Sequence, residues 1–223
     1  MIRKEWYKFR EIFIVFTVLV LCFTIYIAFK SYSSGHEAYL ENLIFIYEKG
    51  FTFFHITDLN LVFAFFMGVS VFLRERIFGR LRISLHFPNH IFVNISYIVG
   101  VGLIFLVLVY IIEFVAINNI YSYYTDEIMS VINFTLMLNF AFGMVCYLMC
   151  GCVIIEPLKI NAGVNFAMFL AFLLIYYELN PDIYEINSFY YNELGFYYFL
   201  CALIYAISAI FVAFRNYKIG YIR

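Results

Sequence analysis

Six runs of nearly unbroken apolar residues constrain this chain more than any other feature of its sequence. They cover residues 12–29, 54–73, 91–117, 131–155, 163–179 and 196–214. A helix needs roughly 20 apolar residues to cross a bilayer, and it satisfies its backbone hydrogen bonds internally. Strands of a membrane barrel would alternate apolar and polar residues, whereas these runs are apolar on every side. The sequence therefore predicts an all-α integral membrane protein with six transmembrane helices.

The composition agrees with this class. Hydrophobic residues make up 65% of the 223-residue chain and charged residues 13%, against about half and about a quarter in soluble domains. A soluble chain of this length could not bury so much apolar surface, so lipid must cover the excess. The net charge of −1 gives no reason to expect a nucleic-acid partner. Because the connections are short, residues 1–223 are expected to form a single transmembrane domain.

The basic residues predict the orientation of the spans. If the chain crosses six times, 12 of its 14 lysines and arginines fall on one side. The two exceptions, Lys30 and Lys49, lie in the first outer loop. Lysine and arginine are retained on the cytoplasmic side of a membrane, so both termini are expected to be cytoplasmic. The 12 inner residues are Arg3, Lys4, Lys8, Arg10, Arg74, Arg76, Arg80, Arg82, Lys159, Arg215, Lys218 and Arg223.

The segment before the first span is amphipathic. Trp6, Phe9 and Phe13 recur at helical spacing, and basic residues occupy the other faces. This pattern favours an interfacial helix over residues 1–11 that turns into the first span, with these three aromatic residues at the membrane interface. The alternative is an ordinary interfacial anchor with flanking positive charges.

The inner connection over residues 74–90 has the most specific pattern in the chain. Apolar positions at Ile77, Leu81 and Leu85 indicate a short helix with one apolar face, and its other face is strongly basic. Such a helix could dock a cytoplasmic partner, with charged residues at the rim of the contact. A loop that merely fixes orientation would also be basic, so charge alone does not separate the two interpretations.

The residue pattern of this connection resembles a known family. Glu75-Arg76-x-x-Gly79-x-Leu81-x-x-x-Leu85-x-x-Pro88, directly after the second of six spans, is similar to the coupling loop of type-2 ABC exporter permeases. The opening Lys4-Glu5-Trp6-Tyr7-Lys8-Phe9-Arg10 resembles the interfacial elbow helix of the same family. The resemblance implies a permease subunit in the bacterial inner membrane, working as a homodimer or heterodimer and coupled to separate ATP-binding cassette subunits.

The same resemblance implies where the ATPase would bind. The phosphate-binding motif G-x-x-x-x-G-K-[ST] is absent, because no glycine in the chain is followed by lysine. ATP and magnesium would therefore belong to the partner, with no cofactor and no enzymatic activity expected in this chain. Residues 180–195 could form the re-entrant element common in the family, or a plain outer loop. The implied ATPase-coupling residues are Glu75, Arg76, Gly79, Arg80, Leu81 and Leu85.

Ionisable and soft-ligand side chains within the spans are the remaining candidates. Asp58 and Glu113 lie near outer span ends, where we expect hydrated carboxylates at the headgroup level. Cys146, Cys150 and Cys152 on the fourth span are of a type that suits copper(I), but cysteine is also ordinary apolar filling in a membrane helix. The second interpretation predicts no metal site in the chain.

Two other functions remain open at this stage. A non-transport polytopic protein, such as an assembly or maturation factor for another membrane complex, would show the same six spans. A small membrane enzyme is a third class, yet the sequence has no H-E-x-x-H or G-x-S-x-G motif.

Overall fold

The computed structural model describes residues 2–33, 54–77, 91–122, 126–178 and 193–221, and every regular element in these ranges is an α-helix. Six of these helices are long and apolar enough to cross a membrane, which confirms the predicted fold class. The chain is thus a multi-pass membrane protein. The helices are α1 Ile2–Ser33, α2 Phe54–Ile77, α3 Ile91–Ile120, α4 Asp126–Ile155, α5 Lys159–Glu178 and α6 Glu193–Tyr221.

Most helices extend beyond the predicted apolar runs, because a helix continues wherever its backbone hydrogen bonds can form. The turn between α4 and α5 has a clear local cause. Pro157 is the second residue after the end of α4, and it has no backbone N–H to donate to a hydrogen bond that would continue the helix. Of the segment 180–195, whose form the sequence left open, residues 193–195 begin α6 and the remainder lies outside the described residues.

The N-terminal segment, predicted as an interfacial helix over residues 1–11 that turns into the first span, is continuous with that span. Helix α1 runs without a break from Ile2 to Ser33. Its 32 residues include no glycine and no proline, so nothing in the local sequence favours a turn at residues 11–12. Trp6, Phe9 and Phe13 instead pack on Phe105 of α3, at ring-centroid distances of 4.8, 5.2 and 5.3 Å. The amphipathic stripe therefore faces a neighbouring helix, and its position relative to the lipid surface stays a prediction.

Helix α4 is the centre of the bundle. It contacts α2, α3, α5 and α6, whereas α1 packs on α2 and α3. Two glycines allow α4 to pack closely against α2 and α6. A Cβ atom at Gly68 of α2 would lie 2.8 Å from Cβ of Cys150, and one at Gly151 would lie 2.7 Å from Phe72 and from Ile210. Small residues at such crossings are a common means of packing helices in membranes.

The helices alternate in direction and so define two ends of the bundle. We call the end where α1, α3 and α5 begin and α2, α4 and α6 end the basal end, and the opposite end the distal end. Helices α1 and α5 contribute least to the core, and their large apolar side chains, such as Ile25, Phe29 and Leu174, are exposed. Lipid is the natural environment for such surfaces.

Candidate functional site

Polar side chains meet inside the bundle toward its distal end. Asn60 of α2, Glu113 of α3 and Asn139 of α4 are fully buried, with 0% of each residue exposed. Asn139 lies seven residues inside one end of its candidate span and Glu113 seven residues inside an end of another, or about 10 Å along each helix. We call this cluster the polar core; its members are Thr57, Asn60, Tyr110, Glu113, Asn139 and Tyr176.

Asn60 joins three helices. Its Nδ2 donates hydrogen bonds to Glu113 Oε1 and to Asn139 Oδ1, both at 3.0 Å. Its backbone carbonyl accepts a 3.3 Å hydrogen bond from the hydroxyl of Tyr110. Asn139 in turn donates through Nδ2 to the Thr57 carbonyl at 3.2 Å and to the Tyr176 hydroxyl at 2.9 Å. The polar core thus connects α2, α3, α4 and α5.

Two aromatic stacks hold the tyrosine hydroxyls in place. The ring of Tyr110 stacks on Phe140 of α4 with a centroid separation of 4.4 Å. The ring of Tyr176 stacks on Phe142, also of α4, with a separation of 4.3 Å. Because both rings are buried, their hydroxyls require hydrogen-bond partners, and the asparagines of the polar core provide them.

The position of Glu113 corrects the sequence interpretation. A hydrated carboxylate at the headgroup level was expected, but the side chain is buried among helices, and this expectation is wrong for Glu113. Asp58, the other such carboxylate, is only partly buried and accepts a 3.1 Å hydrogen bond from the Tyr177 hydroxyl. Asn60 and Asn139 are not ionisable, so they are not among the candidates that the sequence gives. Amide side chains within apolar runs were the available signal, since they also require partners in lipid.

A second buried cluster lies at the basal end. Lys8 of α1 forms an ion pair with Glu75 in the last turn of α2, and both side chains are buried. A buried pair of opposite charges is costly to break, because removing one partner leaves the other charge uncompensated. The ion pair therefore fixes the end of α2 against α1.

Two arginines of the same turn extend these contacts. Arg74 donates through Nη1 to the carbonyl of Tyr7 in α1 at 2.9 Å. Arg76 donates through Nη1 to the carbonyl of Ile154 at 2.6 Å. Ile154 lies in the last turn of α4, where carbonyl groups lack intrahelical partners and favour a positive charge.

Glu156 links α4 to α6 at the same end. Its carboxylate is buried directly after α4 and accepts hydrogen bonds from Asn216 Nδ2, at 3.1 Å to each oxygen. Its Oε1 also accepts a 3.4 Å bond from the backbone N–H of Leu158, just before α5 begins. We call this set the basal cluster; its members are Lys8, Arg74, Glu75, Arg76, Glu156 and Asn216.

The predicted coupling residues fall into two groups. Glu75 and Arg76 lie in the last turn of α2, where they contact α1 and α4 of the same chain. An ATPase contact for these two residues stays a prediction, and the described structure adds an intramolecular role for each. Gly79, Arg80, Leu81 and Leu85 lie outside the described residues.

The cysteines of α4 are packed as core residues. Cys146, Cys150 and Cys152 are buried, and Cys152 Sγ lies 3.6 Å from the carbonyl oxygen of Ala206. Within the described ranges, no group of three histidine, cysteine, aspartate or glutamate side chains is placed to hold a metal ion.

Two grooves on the bundle surface are almost wholly apolar. One, of about 290 Å³, lies between α3, α4 and α6 and is lined by residues such as Leu103, Leu148 and Ile207. The other, of about 270 Å³, lies between α3 and α4 beside Tyr110 and Phe140. Neither groove presents a charged side chain, so each suits an apolar group better than an ion.

No protein-family model matches the chain, and neither does any curated protein or solved structure.

Proposed function

We propose that the chain is the permease subunit of an ABC transporter of the exporter type. It forms the translocation path as a homodimer or heterodimer and is driven by separate ATP-binding cassette subunits. The proposal places it in the bacterial inner membrane with the basal end and both termini in the cytoplasm, as the basic residues predict. The observation that carries the proposal is the attachment of the last turn of α2 to α1 and α4, directly before the basic connection over residues 78–90.

A connection can transmit force only if its base is firmly joined to the rest of the bundle. Glu75 and Arg74 join the end of α2 to α1, and Arg76 joins it to α4. Glu156 and Asn216 then join α4 to α6. A displacement applied to the connection after α2 would thus reach four of the six helices through charged or charge-assisted contacts, which are stronger than neutral hydrogen bonds.

In this proposal the cassette subunits and the permease have different roles. The cassette subunits would bind ATP and magnesium, and this chain would have no catalytic residue of its own. Glu75 and Arg76 would position the connection, whereas Gly79, Arg80, Leu81 and Leu85 would meet the ATPase surface. The apolar grooves beside α3 would suit a hydrophobic or lipid-like substrate better than an ionic one.

Photo-crosslinking in cells tests the coupling proposal. A photoreactive phenylalanine analogue at position 81 or 85 should capture a protein that carries the phosphate-binding motif of an ATPase, identified by mass spectrometry. The matched controls are Ile160 and Ile219, which are exposed apolar residues toward the basal end but outside the connection. These control positions should capture no ATPase.

Two results would contradict the coupling proposal. Repeated failure to recover an ATPase from positions 81 and 85, with the tagged chain present at normal levels, would remove its main support. Capture of the subunits of another integral membrane complex from the same positions would favour an assembly or maturation factor instead.

A further inference from the structure

Two oxygen atoms in the polar core have no hydrogen-bond donor among the described residues. They are Oε2 of Glu113 and Oδ1 of Asn60, and both are buried. The same two side chains also share a hydrogen bond, in which Asn60 Nδ2 donates to Glu113 Oε1. The second hydrogen of Nδ2 is directed to Asn139 Oδ1. Both hydrogens of the Asn60 side-chain amide are thus used, and neither is available to Oε2 of Glu113.

A single proton on the carboxyl group would satisfy both oxygens. A carboxylic acid and an amide can form two reciprocal hydrogen bonds, in which the amide N–H donates to one acid oxygen and the acid O–H donates to the amide oxygen. The structure contains the first of these bonds. The second requires a hydrogen on Oε2 of Glu113, and it would turn two unpartnered acceptors into one donor–acceptor pair.

Among the described residues, no lysine or arginine is paired with Glu113. The polar groups that interact with it there are the amide of Asn60 and the hydroxyl of Tyr110. A bare carboxylate in this position would be buried without a compensating cation, which is strongly unfavourable. The titratable groups on the surrounding helices are Tyr110 on α3, Asp58 on α2, Cys146 on α4, and Tyr176 and Tyr177 on α5.

We propose that Glu113 and Asn60 form a proton-binding site within the membrane, in which one proton is held between Oε2 of Glu113 and Oδ1 of Asn60. The bound proton joins α3 to α2 at the distal end. When the two helices separate and water reaches Oε2, the proton passes to a water molecule, the carboxylate gains its negative charge, and no electrons are exchanged. Opening of the distal end is therefore linked to proton release. This inference does not depend on the proposed ATPase coupling.

The thermal stability of the full-length, detergent-solubilised chain tests this site. Because a bound ligand stabilises the folded state by mass action, the melting temperature of the wild-type chain should fall as the pH rises and the proton is lost. The fall should be on the order of 10 °C, since deprotonation leaves an unpaired buried charge. In Glu113→Gln the side-chain amide supplies a permanent N–H toward Asn60, so its melting temperature should stay nearly constant over the same range.

A matched control and a salt series make the result specific. Asp58→Asn removes a carboxylate from the same end of the bundle, but one that is partly exposed, and it should keep the wild-type pH response. A fall of the same size in Glu113→Gln would overturn the proposal. So would a wild-type melting temperature that does not change with pH, or one that responds to sodium at constant pH and thus indicates a metal cation at the site.

If Glu113→Gln does not fold, infrared spectroscopy of the wild-type chain tests the proton-binding site without that variant. A protonated carboxyl has a C=O stretching band that is distinct from that of a carboxylate and moves in D₂O. We expect this band in the infrared spectrum of the wild-type chain at neutral pH. Its absence would overturn the proposal.

Discussion

The carboxylates of Glu75 and Glu113 are buried at opposite ends of the bundle, and their surroundings differ in kind. Glu75 faces the ammonium group of Lys8, so its negative charge is compensated within the protein. Glu113 accepts a hydrogen bond from the side-chain amide of Asn60, which is neutral. Burial alone therefore does not determine whether a carboxyl group carries a negative charge. The presence or absence of a neighbouring positive charge determines it.

The difference assigns separate roles to the two ends. At the basal end, opposite charges make a joint between α1 and α2 that persists as long as both residues remain charged. At the distal end, neutral hydrogen bonds hold α2, α3 and α4 together, and a proton can enter or leave. We infer that the basal end transmits displacement, whereas the distal end can open.

The largest effect is expected from breaking the ion pair at one partner only. Glu75→Ala removes the buried carboxylate that faces the ammonium group of Lys8 and should lower the free energy of unfolding by about 3–5 kcal/mol. Thermal unfolding measured in detergent checks this value. The double variant Lys8→Met with Glu75→Leu removes both charges and should recover most of the loss. An unchanged melting temperature in Glu75→Ala would show that the basal pair does not stabilise the bundle.

Overpacking at the polar core should have an intermediate effect. A Cβ atom at Gly143 would overlap the hydroxyl of Tyr110, which is buried and bonded to the Asn60 carbonyl. Gly143→Ala should therefore destabilise the chain by about 1–3 kcal/mol. Gly100→Ala is the matched control, because a Cβ there meets nothing within 4 Å. Equal effects of the two substitutions on thermal unfolding would contradict the close packing of α3 against α4.

The smallest effect is expected from a single neutral hydrogen bond. Tyr110→Phe removes the 3.3 Å bond to the Asn60 carbonyl and keeps the ring stack on Phe140. Hydrogen bonds between membrane helices contribute about 0.6 kcal/mol on average, so the change in unfolding free energy should be of this size. A loss as large as that of Glu75→Ala would mean that the polar core is not held by neutral hydrogen bonds.

The six helices were predictable because span length and apolar character are local properties of the sequence. The two clusters were not, since each depends on which helices are neighbours. Asn60, Glu113 and Asn139 are single polar residues in three separate apolar runs, and nothing in their spacing shows that they meet. The sequence pattern places Lys8 in an interfacial helix and Glu75 on a partner surface. Because 67 residues separate them, nothing in the local sequence indicates that they form a pair.

The continuous α1 could have been anticipated from its composition. An amphipathic pattern at residues 2–13 is equally compatible with an interfacial helix and with the first turns of a packed helix. The absence of glycine and proline favoured the continuous helix, and Phe105 of α3 provides the apolar surface that it needs. Local pattern identifies an apolar face, but only tertiary contacts determine what covers it.

Infrared spectroscopy of three chains tests the contrast between the two carboxylates most directly. The account predicts a protonated-carboxyl band in the wild-type chain at neutral pH, its loss in Glu113→Gln and its persistence in Glu75→Gln. That pattern would show that the distal carboxyl binds a proton, whereas the basal one carries its charge beside Lys8. A band that persists in Glu113→Gln, or that disappears in Glu75→Gln, would contradict the account.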